Sequence, residues 1–68
     1  MAPLDRQRIE VLLHHWQHHN EEHADSFDKY ARQLREQGWE KIAAYLEEAS
    51  QLSRQTGELL RRALADLS

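Results

Sequence analysis

The sequence predicts an all-α fold: an antiparallel two-helix hairpin that self-associates into a four-helix bundle. Three observations point there. Helix formers (Ala, Leu, Glu, Gln, Arg, Lys) fill the 68 residues, and β-branched residues are few. Apolar positions recur in steps of three and four along two long stretches. Glycine and proline are confined to Pro3, Gly38 and Gly57, and Gly38 lies where one apolar pattern stops and the next begins.

The whole chain, 1–68, reads as one domain. Helix one is expected over about 5–36, a turn near 37–38, and helix two over about 39–67. Asp5 is a favoured N-cap, and Leu4 before it can staple onto Ile9. The stripe of helix one runs through Ile9, Leu12, Leu13, Trp16, Ala24, Phe27, Tyr30, Ala31 and Leu34. Its gap between Trp16 and Ala24 holds Asn20 and His23, with His19 at the edge. Gly38 suits a left-handed residue that stops a helix.

The stripe of helix two runs through Trp39, Ile42, Ala43, Leu46, Ala49 or Ser50, Ser53, Gly57, Leu60, Leu64 and Leu67. Thr56-Gly57 invites a break, but the apolar steps continue past it, so one long helix is expected. A short turn makes the two helices antiparallel neighbours. Phe27 then faces Ala49, Trp16 faces Leu60, and Leu12 faces Leu64. His23 falls opposite Ser53 and His19 opposite Gly57, a roomy polar layer in an apolar seam. Trp16, Phe27, Tyr30 and Trp39 at this spacing read as core. Tyr45, Leu52, Leu59 and Ala63 lie off the stripe, as expected of a surface that touches a second chain.

Size supports that expectation. A chain this short is marginal alone unless a disulfide, a metal or a partner helps. It has no cysteine, so a His-based metal site and oligomerisation remain. A two-helix hairpin cannot enclose a core, which makes a dimer or a multiple of dimers the expected state. The formal charge is −3 with acids and bases interleaved, so no basic patch for nucleic acid is visible. No apolar run approaches the ~20 residues of a membrane span, and "MAPLDRQRIEVLL" shows no signal-peptide core. A cytoplasmic protein is the expectation.

All five histidines fall in "HHWQHHNEEH", residues 14–23. Residues four apart share a helical face, which pairs His14 with His18, His15 with His19, and His19 with His23. Such a pair can set two imidazole nitrogens on one metal. His15 and His23 are about 12 Å apart along the axis, so the three cannot share one ion. His14 and His18 point away from the apolar face, whereas His19 and His23 are expected to face the seam. There the rival to a metal is a hydrogen-bonded polar layer, with Asn20, Ser50 and Ser53 as partners. In a two-fold dimer, His19 and His23 of two chains would supply four imidazoles, enough for a tetrahedral site. Separate sites would instead add Glu22 or His15 and water. Imidazole with carboxylate favours zinc, nickel, cobalt or iron; without cysteine, and with Met1 the only methionine, Cu⁺ is disfavoured.

Two motifs mislead. "HNEEH" fits the H-x-x-E-H of inverzincin proteases, but those need a large domain and a distant third ligand. Hairpins with inward His and Glu suggest ferritin-like di-iron bundles, whose signature is Glu-x-x-His. Here the order is reversed, as in His19-x-x-Glu22.

The run His15-Trp16-x-x-His19-Asn20-x-Glu22-His23-Ala24-x-x-Phe27 resembles a family of small prokaryotic helical-hairpin domains with an H-W-x-x-H-N-x-E-H-A-x-x-F pattern. The resemblance covers about residues 14–67, and its specific part lies in helix one. It implies nickel or cobalt handling, with His15, His19, Glu22 and His23 as ligands and Trp16 and Asn20 around them.

The expected function is therefore transition-metal binding (nickel, cobalt or zinc) as a carrier, store or sensor, not an enzyme. The rivals are a homo-oligomeric interaction or assembly module whose polar layer sets register, and a pH-responsive oligomer, since histidine titrates on the mildly acid side of neutrality.

Overall fold

The computed structural model describes residues 3–67. They form two α-helices, α1 over Arg6–Glu36 and α2 over Glu40–Leu67, which pack against each other as a hairpin. The result is a rod of 50 × 22 × 14 Å.

The caps explain where the helices begin and end. Asp5 is extended, and its carboxylate accepts from the Arg8 backbone N–H at 2.8 Å. That satisfies one of the donors a helix start leaves without a partner. At the other end, the Trp39 N–H donates to the Leu34 carbonyl at 2.8 Å and the Gly38 N–H to that of Arg35 at 3.1 Å. These two bonds are the Schellman closure, and they need a left-handed residue. Gly38 supplies it with φ of 92°. The Trp39 carbonyl then accepts from Ala43 N–H at 2.9 Å, opening α2 directly.

The two glycines should respond in opposite directions to the same substitution. A Cβ on Gly38 meets nothing within 4 Å, so Gly38→Ala carries only the backbone strain of its positive φ, about 1–2 kcal/mol of lost stability. Gly57 lies inside α2, which continues through it without a break, and a Cβ there also meets open space. Gly57→Ala is expected to gain about 0.5–1 kcal/mol. Urea unfolding of both variants at one protein concentration checks the pair.

The seam centres on small residues. Among the described residues, Leu13, Ala24 and Ala31 of α1 and Ala43 and Ser50 of α2 are the buried positions. Gln17 and Asn20 are half-buried on α1, as are Ser53 and Gly57 on α2. The large side chains expected in the core lie outside it: Trp16 is 47% exposed, Tyr30 51% and Trp39 55%, while Phe27 is half-buried. The cause is geometric. A helix with a single neighbour buries only a narrow strip of its apolar arc. Alanine and serine let two backbones approach most closely, so the contact centres on them.

This choice gives the rod two unlike flanks. On one, charged side chains bridge the helices: Arg35 pairs with Glu47, and Arg54 pairs with Asp28 and, at 3.5 Å, with Asp25. The other flank is apolar and open. On α1 it carries Leu12, Trp16, Phe27 and Tyr30. On α2 the apolar arc continues past the seam through Ile42, Ala49 and Leu60 to Tyr45, Leu52 and Leu59, with Tyr45 69% exposed. Among the described residues no helix is long and apolar enough to cross a membrane.

Candidate functional site

A helix advances 100° per residue, so positions four apart drift by about 40° around the axis. The series His15, His19, His23, Phe27 therefore winds from solvent onto the open apolar flank. Its rings form a ladder. His15 stacks on His19 with centroids 6.1 Å apart, His19 meets His23 edge to face at 4.3 Å, and His23 stacks on Phe27 at 6.0 Å. At the tightest step Nε2 of His19 and Nε2 of His23 stand 2.8 Å apart. A hydrogen bond at that distance needs one ring to donate and the other to accept, which the tautomers set.

The expectation that His19 and His23 face the seam is corrected here. Both are exposed, and the seam at this height is lined by Gln17, Asn20, Ala24, Ser53 and Gly57. The roomy polar layer exists as an open groove of about 230 Å³, but no histidine lines it. The partners foreseen for a buried histidine are used otherwise. Ser50 donates to Asp28, and Asn20 shares the groove with Ser53.

The four residues foreseen as ligands separate. His19 and His23 converge. His15 lies one helical turn away, stacked rather than converging. Glu22 points to the other side of α1, where its carboxylate meets His18 Nε2 at 2.7 Å. His14 lies near Glu10, Nε2 to Oε1 3.9 Å, in a groove with Arg6, Leu64 and Leu67. Among the described residues no three His, Asp or Glu side chains gather at one point. One chain thus offers two nitrogens to an ion. Two imidazoles on tetrahedral zinc, with bonds of about 2.0–2.1 Å, would stand about 3.3 Å apart. Rotating either ring by a few tenths of an ångström at its tip opens the pair that far.

Sequence reading missed the polar cluster across the seam. The Asp28 carboxyl is held below the usual carboxylate range, first by the hydrogen bond from the Ser50 hydroxyl and then by the Arg54 guanidinium. Glu58 is lowered in the same way by Arg61, with 2.6 Å between Nη2 and Oε1. The signal was partial: Asp25 and Asp28 are neighbours on one helical face, and the antiparallel register sets Arg54 opposite Glu22, about one turn from Asp25 and within reach of a long side chain. A carboxylate whose folded pKa is depressed keeps its charge to lower pH when folded. Its contribution is present above the unfolded value of about 3.9 and is lost as pH falls from there through the folded value. Asp28→Asn should therefore lower the melting midpoint at neutral pH and flatten its acid decline below about pH 4. Melting curves between neutrality and strong acid read both effects.

A family described as Domain of unknown function (DUF8180) matches residues 9–67, a stretch that spans nearly all of α1 with its histidine run, the turn and the whole of α2. No curated protein and no solved structure matches the chain.

Proposed function

The chain belongs to the DUF8180 family, whose description leaves the role to be read from the chain itself, and we propose that it binds a divalent transition metal (zinc, nickel or cobalt) through His19 and His23, as a carrier, store or sensor rather than an enzyme. One observation carries this reading: two imidazole Nε2 atoms 2.8 Å apart on an exposed face. A neutral imidazole pair at i, i+4 is a bidentate donor that suits these ions. Two donors leave coordination positions open, which fits an ion that is exchanged. His15 is the nearest further imidazole; Glu22 is engaged by His18.

Calorimetric titration with Zn²⁺, Ni²⁺ and Co²⁺ tests it, on protein purified without a metal-affinity column. His19→Ala and His23→Ala should each abolish tight binding, while His14→Ala and His18→Ala change it little. Equal losses at all four positions would mean dispersed surface chelation and overturn the site. Protons compete for the same nitrogens, so affinity should fall as pH drops from about 7.5 to 5.5.

A second reading is favoured by a separate observation. The open flank with Trp16, Tyr30, Tyr45 and Leu52 is larger than solitary hydrophobic residues on an ordinary surface. It supports reading the chain as a homo-oligomeric assembly module, with or without an ion. Sedimentation equilibrium of the metal-free protein tests it: a folded 8.1 kDa monomer at micromolar concentration would exclude it.

A further inference from the structure

We infer that a second copy of the chain covers the open flank, antiparallel helix against helix, about a two-fold axis at the height of His19 and His23, so that two imidazole pairs meet as one four-nitrogen metal site. The pairing rests on the assembly reading and the shared site on the metal reading.

The area calls for such a partner. A folded monomer of 8.1 kDa ordinarily exposes about 4,500 Å², whereas this chain exposes 5577 Å². Covering that excess on each of two copies removes about 2,200 Å² in all, within the range of permanent homodimers.

The symmetry follows from the pattern. In a two-fold interface residue i meets j and j meets i, so an antiparallel helix pair must present a stripe that reads alike in both directions. On α1 the flank does so about the midpoint of Arg6–Glu36. Trp16 and Phe27 stand on either side of the His19–His23 pair at nearly equal spacing, and Leu12 and Tyr30 lie beyond them. On α2 the face Tyr45, Ala49, Leu52, Thr56, Leu60, Ala63, Leu67 is symmetric about Thr56. The two centres lie at one height, since Asn20 and Gly57 line the same groove. Two helices thus place the axis independently at the same level.

A regular stripe also reverses onto itself when slid by a turn. The polar groups choose among these settings. Any shifted setting buries imidazole nitrogens against Trp16 or Phe27 of the other copy, where they lack partners. The centred one brings His19 to His23 on both sides of the axis and Thr56 to Thr56. The Thr56 hydroxyl is already satisfied by the Leu52 carbonyl at 3.0 Å. Four imidazoles complete the tetrahedral set that one chain lacks.

The chain has no cysteine, so nitroxide labels on Glu22→Cys and Gln33→Cys, both at exposed positions, measure the pairing by dipolar EPR without metal. The Glu22 labels, beside the axis, should lie within about 20 Å. The Gln33 labels should lie about 35–40 Å apart, from a rise of 1.5 Å per residue along antiparallel helices. Short distances at both positions would mean parallel pairing and overturn the inference, as would no coupling at Glu22. Co²⁺ then reads the shared site: one ion per two chains with a tetrahedral visible spectrum, lost in His19→Ala. One ion per chain would overturn the shared site. No binding, with the distances unchanged, would refute the metal reading and leave the pairing standing.

Discussion

Ala24→Leu is expected to destabilise the hairpin by about 3 kcal/mol, the upper end for overpacking. Ala24 and Ala43 have no exposed surface at all, and they set how closely the two backbones approach. A leucine at either position forces the helix axes apart. In a two-helix hairpin no further layer can shift to absorb the strain, so every other seam contact loosens together. Ala44→Leu is the control. Ala44 lies one position from Ala43 but is exposed, and its change should stay within about 0.5 kcal/mol. Chemical denaturation of Ala24→Leu, Ala43→Leu and Ala44→Leu separates the seam from the surface. A near-neutral Ala24→Leu would mean that the helices do not meet there.

The second large effect is expected on association. Trp16→Glu sets a carboxylate in the middle of the apolar flank and leaves the seam residues unchanged. Burying that charge against a second copy should weaken self-association at least 100-fold, about 2.7 kcal/mol. The melting midpoint of the parent chain should rise with protein concentration, because association stabilises the folded form by mass action. That of Trp16→Glu should not. Sedimentation equilibrium and melting across a hundredfold concentration range read both. A variant that still sediments with the parent would remove Trp16 from any interface.

The helices were legible in the sequence because their punctuation is local. Asp5 caps through its own side chain, and Gly38 alone tolerates the left-handed turn, so both ends of α1 follow from single residues. The continuation of α2 through Gly57 was also legible, since Leu60 and Leu64 keep the spacing. The facing was not. Hydrophobicity defines a broad apolar arc, and a helix with one neighbour uses only part of it. The part used follows size as well as polarity: Ala24, Ala31, Ala43 and Ser50 permit the closest approach, while Trp16 and Tyr30 do not. Weighting the arc by bulk would have turned α1 by roughly 60°, moving His19 and His23 from the seam to the flank. Their mutual approach was legible from spacing alone. The loss of Glu22 to His18 was legible from the same spacing of four, which sets Glu22 on the face of His18 and not on that of His19.

The Arg6 guanidinium donates to the Leu67 carbonyl, so the first turn of α1 and the last turn of α2 lie side by side. Anything joined to either end of residues 3–67 leaves from the same pole of a 50 Å rod, while the Gly38 turn occupies the other pole. A short tether could link the two ends and the chain be reopened at Gly38, giving a circular permutant with both helices whole. In an antiparallel pair the two poles that carry chain ends point in opposite directions. Cargo fused to the two copies would be held apart by the length of the rod, and the protein would serve as a spacer with its histidines at the centre.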